Sequence, residues 1–185
     1  MSKAYKNFWS LNVDEAVVAG ILRDETEKNI EVLFPLNAQM KALDLFLINI
    51  KTNKSVSVQV KGSRAYEPKK SEVDKYGHGS AGWFYFNKKV IHNSCADYFI
   101  FLIYVLEQSK KTGRRLIVPH TITIPTKELV DFCGKNKKSM KNDTYSFFVW
   151  INPVTKEAFD FKDKLYYLSE FLDKKGFEKL NNKFK

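Results

Sequence analysis

The segment Asp97 to Glu107, DYFIFLIYVLE, constrains this chain more than any other. Side chains alternate sides along a strand, and here both sides are apolar. A strand of that kind has to be central, with helices or loops covering each side of its sheet. The longest apolar run, Phe99 to Leu106, falls far short of the ~20 residues a membrane-spanning helix needs. The chain of 185 residues is one domain's worth and long enough to bury a core around such a strand. With no internal repeat, low-complexity tract or Pro/Gly-rich linker, residues 1–185 read as a single domain.

Other elements arrange themselves around that centre. Asn12 to Asp24 reads as a helix, with Val17, Val18, Ile21 and Leu22 at helical spacing and Asn12 with Glu15 in a capping-box pattern. Ile30 to Leu36 is a short apolar strand. Ala42 to Lys51 and Ser55 to Gly62 are strands joined by the polar turn Thr52-Asn53-Lys54. Residues 63–82 are polar and rich in Gly, Lys and Ser, which predicts a long loop. Trp83 to Phe86 has strand character. Gln108 to Arg115 predicts a basic turn, with Arg115 to Pro119 as the returning strand. Thr126 to Cys133 predicts a short helix, with Thr126 as N-cap and Gly134 as its left-handed stop. Tyr145 to Asn152 predicts a strand, and Lys164 to Leu180 one or two amphipathic helical segments. The fold class is α/β, a central mixed sheet flanked by helices.

Composition narrows the partners. Lys and Arg number 31 against 21 Asp and Glu, a formal charge of +10. Such an excess suits a polyanion, although many basic proteins carry their charge for solubility. The aromatic residues, 15 Phe, 9 Tyr and 3 Trp, argue against disorder because they need somewhere to pack. Cys95 and Cys133 are too few for a disulfide scaffold and read as buried free thiols of a reducing compartment. The opening MSKAYKNFWSL has no apolar core of a secretory signal, so a cytoplasmic protein with no membrane partner is expected.

Chemistry concentrates in Ala42 to Ser63. On the second hairpin strand Val56, Val58 and Val60 share one face, and Ser55, Ser57, Gln59 and Lys61 the other. Gln59 and Lys61 thus stand side by side, their Cα atoms roughly 7 Å apart. Folding the hairpin brings the Asp44 carboxylate towards them. Mg²⁺ takes hard oxygen ligands and is typically held by one or two carboxylates plus substrate phosphate. Asp44 supplies a charged ligand, Gln59 a neutral oxygen and the carbonyl of Val60 a third. Lys61 is placed to orient a water and to stabilise charge growing on a phosphate. Glu15, on the inward stripe of the first helix with Val18 and Leu22, is an auxiliary member of the set.

Asp44, then Gln59-Val60-Lys61 fifteen positions on, preceded by a helix carrying Glu15, resembles the PD-(D/E)xK superfamily in the variant with Gln before the lysine. The resemblance extends more loosely to VQVKG, to Trp83-Phe84 and to the strand opened by Ala96-Asp97-Tyr98-Phe99, and covers about residues 12–105. It implies a restriction-endonuclease-like fold and Mg²⁺-dependent hydrolysis of DNA phosphodiesters, with Mn²⁺ able to replace Mg²⁺. Asp44, Gln59, the Val60 carbonyl and Glu15 would hold the metal, and Lys61 would orient the water. Leu43 stands where the family has proline. Gln59 removes one negative charge from the site.

Each residue also has a plainer reading. Gln59 and Lys61 fit a solvent-facing strand. Glu15 fits the capping box with Asn12, worth about 1 kcal/mol. Asp44, inside the apolar run LDLFLINI, has poor strand propensity and needs a reason. His78, His92 and His120 lack zinc-ligand spacing. Arg64, Lys69, Lys70, His78, Lys88 and Lys89 are the candidate DNA contacts. Further basic clusters occur at Lys110-Lys111 with Arg114-Arg115 and from Lys135 to Lys141. No small-molecule cofactor motif is present. The leading expectation is a metal-dependent DNA endonuclease, for which cutting both strands would most simply need a homodimer. The alternative is a catalytically weakened relative that binds nucleic acid or a protein.

Overall fold

Asn12 opens the first helix, α1 (Val13–Glu25), by accepting a hydrogen bond from the Asp14 N–H at 3.0 Å. The computed structural model describes residues 12–35, 43–64, 66–109, 112–136, 142–162 and 165–185. Strand β1 (Ile30–Leu33) follows, then β2 (Leu45–Asn49) and β3 (Ser55–Ser63). The turn between β2 and β3 places Asn53 at φ 57°, a left-handed conformation that Asn tolerates better than most residues. After β3 come α2 (Lys70–Tyr76), β4 (Ser80–Asn87), α3 (Lys88–His92) and the long β5 (Tyr98–Gln108). The chain continues through β6 (Arg115–Pro125), α4 (Thr126–Asn136), β7 (Thr144–Asn152), β8 (Glu157–Asp160), β9 (Tyr166–Tyr167) and α5 (Lys174–Asn181).

The strands form two sheets. One is mixed and has the order β1-β2-β3-β5-β6; the other has the order β4-β7-β8-β9. Within the first, β3 pairs antiparallel with β2 and parallel with β5, Gln59 opposite Phe99 and Lys61 opposite Phe101. β5 is buried on both faces, as its sequence requires. Tyr98, Ile100 and Leu102 join Val56, Val58 and Val60 beneath Val18 and Leu22 of α1 and Phe177 and Leu180 of α5. Phe99, Phe101 and Ile103 face the other way, onto Phe84, Phe86 and Phe147 of the second sheet. The outer side of that second sheet is covered in turn, by Tyr66 and by Val73 and Tyr76 of α2 against Phe148 and Trp150.

Several expectations are corrected. Helices cover one side of β5, and a second sheet covers much of the other. Residues 63–82 are no long loop: α2 and the start of β4 occupy half of them, because Tyr66, Val73 and Tyr76 have aromatic partners to bury against. Thr126 is the first residue of α4 and no N-cap, its hydroxyl donating instead to the Ala96 carbonyl at 2.6 Å. Gly134 lies inside α4 and ends nothing. β6 runs past Pro119 to Pro125, paired throughout with β5, and its place at the sheet edge tolerates a proline without an N–H. β8 and β9 escaped the sequence reading, and only α5 and a 3-10 turn at Ser169–Phe171 supply the expected C-terminal helical segments. Cys133 is buried but Cys95 is exposed, and both are free thiols. Leu36, Ala42 and Lys164 lie outside the described residues. Among the described residues no helix is long and apolar enough to cross a membrane.

Candidate functional site

β2 begins at Leu45, one residue later than an Asp44 inside the strand would require. Asp44 sits in the bend just before it, half-buried, and closes the end of the ladder. Its N–H donates to the Val58 carbonyl at 2.9 Å, and its carboxylate accepts the Val60 N–H at 2.7 Å. The side chain thereby stands in for a strand that has stopped. That is the reason the sequence asked for: a carboxylate here satisfies a backbone donor that β2 no longer reaches. A strand residue presents its N–H and C=O on the same side, so the Val60 carbonyl faces the same side of β3 as Asp44.

Gln59 lies next to this point and is only 2% exposed. Its Oε1 is buried, with no hydrogen-bond partner among the described residues. Leaving a buried acceptor unpaired costs on the order of 1–3 kcal/mol, which makes it the most informative polar atom in the hairpin. The solvent-facing reading of Gln59 is overturned, since its side chain points into the space between the sheets with Phe99 and Phe101. Lys61, on the same face, is half-buried. The row continues to Ser63, whose hydroxyl accepts the Trp83 N–H at 3.0 Å and so fastens β3 to the free edge of β4.

Glu15 approaches from elsewhere. It is 8% exposed and shares the buried stripe of α1 with Val18 and Leu22, which cover the Val56–Val60 face. The carboxylate of the neighbouring Asp14 accepts a bond from Tyr104 Oη at 2.9 Å, and it crosses so near Gly62 that any Cβ there would strike it. Burial first, then the Asp14 bond, pushes the Tyr104 phenol up to about 12. Glu15 therefore belongs to the opposite side of the sheet from Gln59 and Lys61. It would reach their side only around the open end of β2.

The candidate DNA contacts are dispersed. Arg64 is exposed directly beyond β3. Lys69 and Lys70 start α2, and Lys88 and Lys89 start α3 at the far end of β4; all four are exposed. His78 lines a cleft of about 520 Å³ with Glu67, Glu107 and Arg115. That cleft lies about 20 Å along β5 from the level of Lys61, and its two carboxylates make it a poor place for phosphate. Lys110, Lys111 and Lys137 to Lys141 lie outside the described residues.

Sequence reasoning missed two clusters. Asp97 clamps β5 to β3: its carboxylate accepts both the Ser57 N–H at 2.8 Å and the Ser57 hydroxyl at 2.7 Å. His120 is held between two acids, with Nδ1 2.8 Å from Asp173 and Nε2 2.9 Å from Glu107. Burial lowers the His120 pKa, but the two carboxylates outweigh it and the net shift is upwards. Alternation flags His120 as an inward residue of β6; its acids come from distant positions that no local pattern joins to it.

Among the described residues no three His, Cys, Asp or Glu side chains gather as a metal-binding group. A neutral amide oxygen and a backbone carbonyl fall outside that set of donors, so the candidate set of Asp44, Gln59 and Val60 is one carboxylate with two neutral oxygens. Such a set is sparse for Mg²⁺ but of the right hardness, provided substrate phosphate and water complete it. No protein-family model, curated protein or solved structure matches the chain.

Proposed function

We propose that this protein is a metal-dependent DNA phosphodiesterase of restriction-endonuclease-like fold, with its centre at Asp44, Gln59, Val60 and Lys61. The single observation carrying the reading is the buried Oε1 of Gln59, without a partner among the described residues, one position along β3 from the Val60 N–H that the Asp44 carboxylate accepts. A hard cation would relieve that unpaired acceptor. Asp44, Gln59 Oε1 and the Val60 carbonyl would hold it, with Glu15 auxiliary if its side chain rounds the end of β2. Bound there, a divalent cation supplies Lewis acidity towards phosphate and makes a neighbouring water easier to deprotonate. The Val60 N–H fixes the Asp44 carboxylate in orientation. Lys61, on the Gln59 face and partly open to solvent, neutralises charge on the phosphate as water adds to phosphorus and the alcohol oxygen leaves.

The test is nicking of supercoiled plasmid with Mg²⁺ or Mn²⁺. Asp44→Asn is the informative variant, because its amide oxygen still accepts the Val60 N–H while the charge is gone. Asp44→Asn and Lys61→Ala should each lose nicking and keep DNA binding. Equal activity in wild type and both variants would trace the nicking to a contaminant and end the proposal.

A second reading is favoured by the neutrality of Gln59: a weakened member of the fold that binds nucleic acid without cutting it. Salt-sensitive DNA binding with no cleavage under either metal would select it.

A further inference from the structure

β4 places two aromatic rings where the core cannot use them. Phe84 and Phe86 point between the sheets, so Trp83 and Tyr85 point outward, 37% and 65% exposed. Their rings are parallel within 10°, with centroids 6.3 Å apart. Trp83 rests on Phe148, centroid to centroid 4.1 Å, which backs the ring. Lys162 Nζ lies 5.6 Å from the Trp83 centroid. Exposing a Trp and a Tyr side by side forgoes their burial, and on a monomer such a patch marks an interaction surface.

The position of this pair gives it a partner. Phe84 stacks on Phe101 at 4.8 Å and Phe86 meets Phe99 at 5.9 Å, while a Cβ at Gly82 would come within 2.8 Å of Ile103. Phe101 is the register partner of Lys61, Phe99 of Gln59 and Ile103 of Ser63. β4 therefore runs alongside β3 in the opposite direction, with Trp83 hydrogen-bonded at Ser63 and Tyr85 further on, towards the Gln59 end. Lys88 and Lys89 continue the line beyond Asn87, and Arg64 lies at its other end. The exposed rings are thus bracketed by cations, on the face of β4 turned away from the inter-sheet space that holds Gln59.

We infer that the outer face of β4 is a stacking track for single-stranded DNA. Trp83 and Tyr85 would stack successive bases, and Lys162, Lys88, Lys89 and Arg64 would follow the backbone. Paired bases in a duplex hide their faces, whereas unpaired ones offer them to any aromatic ring regardless of sequence. The choice of DNA rests on the function proposed above; the stacking is read separately from cleavage.

The experiment is binding of a labelled oligothymidine, roughly 15 nucleotides long, to the full chain in EDTA, followed by anisotropy and by tryptophan fluorescence. Wild type should bind the single strand more tightly than a duplex of equal length, with quenching that Trp83→Leu removes. Trp83→Leu and Tyr85→Ala should each weaken binding roughly tenfold, and Lys162→Ala should flatten the salt dependence by about one ion. Tyr85 carries little of the fold, so its variant keeps the test sound if Trp83→Leu unfolds. Wild-type affinity in Tyr85→Ala, tighter binding of duplex, or tighter binding of oligouridine would each overturn the track. So would self-association that Tyr85→Ala dissolves, which would make the face a contact between copies. Loss of the track with plasmid nicking intact leaves the phosphodiesterase standing, and the reverse result removes only the phosphodiesterase.

Discussion

Two of the polar clusters on the mixed sheet are handled in opposite ways. On β6, His120 uses both ring nitrogens, each against its own carboxylate, and Asp173 also accepts the Thr121 N–H at 2.9 Å. At the end of β2, Gln59 is buried more deeply still and its Oε1 has no partner among the described residues. Buried acceptors are expensive to leave open, and Gln59 Oε1 shares that state with others, Thr121 and Thr123 Oγ1 on β6 among them; what sets Gln59 apart is its place on β3 between Asp44 and Lys61, which suits a ligand. The three-dimensional reason is visible in the neighbours: Asp173 arrives from the C-terminal segment to complete the His120 cluster, whereas beside Gln59 strand β2 simply stops.

Replacing Gln59 gives the sharpest way to break that contrast. Gln59→Met keeps much of the shape and removes the orphan acceptor. It should raise unfolding stability by about 1 kcal/mol while lowering metal-dependent nicking on the order of a hundredfold or more. Urea denaturation and plasmid nicking on one preparation read both. A Gln59→Met protein that is less stable and equally active would reverse the assignment and make Gln59 architectural.

His120→Ala should do the opposite. Removing the ring leaves Glu107 and Asp173 facing each other without a cation, at a cost of about 2 kcal/mol after allowing for their partial exposure. Nicking of the folded protein should stay as it was. The pH dependence has a definite sign. His120 is raised above its ordinary value of 6.5, so its contribution is complete below that pH and is lost as pH climbs through the higher folded-state value. Wild type minus His120→Ala, measured as urea midpoints from pH 5.5 to 9, should therefore shrink with rising pH. A difference that grows with pH would mean the imidazole is held neutral.

Legibility in the sequence followed the range of the interaction. β5 was readable because eleven residues without a polar face leave a strand no place but the middle. The Gln59/Lys61 face and the Val56–Val60 face followed from alternation alone. What failed depended on distant chain. The Asp44 position, bending before β2 to accept the Val60 N–H, shows only once the strand's end is known. The aromatic cluster of Tyr66, Val73 and Tyr76 turned an expected loop into a helix, because Phe148, Trp150 and Phe161 lie some eighty residues away. Trp83 to Phe86 was legible only as a strand, since four consecutive aromatic residues mark no face; which face is buried required the packing of Phe84 and Phe86 on β5.

The smallest expected effect tests how α1 relates to the two clusters. Tyr104 is on the far face of β5 from Phe101, and its hydroxyl holds Asp14 at the start of α1. Tyr104→Phe removes one half-buried hydrogen bond and should cost about 1 kcal/mol or less in urea denaturation at neutral pH. Because the phenol sits near 12 rather than 10, its contribution is intact below pH 10 and fades as pH rises through 12. On the reading that Glu15 only lines the Val56–Val60 side, the metal concentration giving half-maximal nicking should be the same in Tyr104→Phe as in wild type. Weaker metal dependence in the variant would show that the seating of α1 matters to the cation, and would move Glu15 from the architectural side of the comparison to the ligand side.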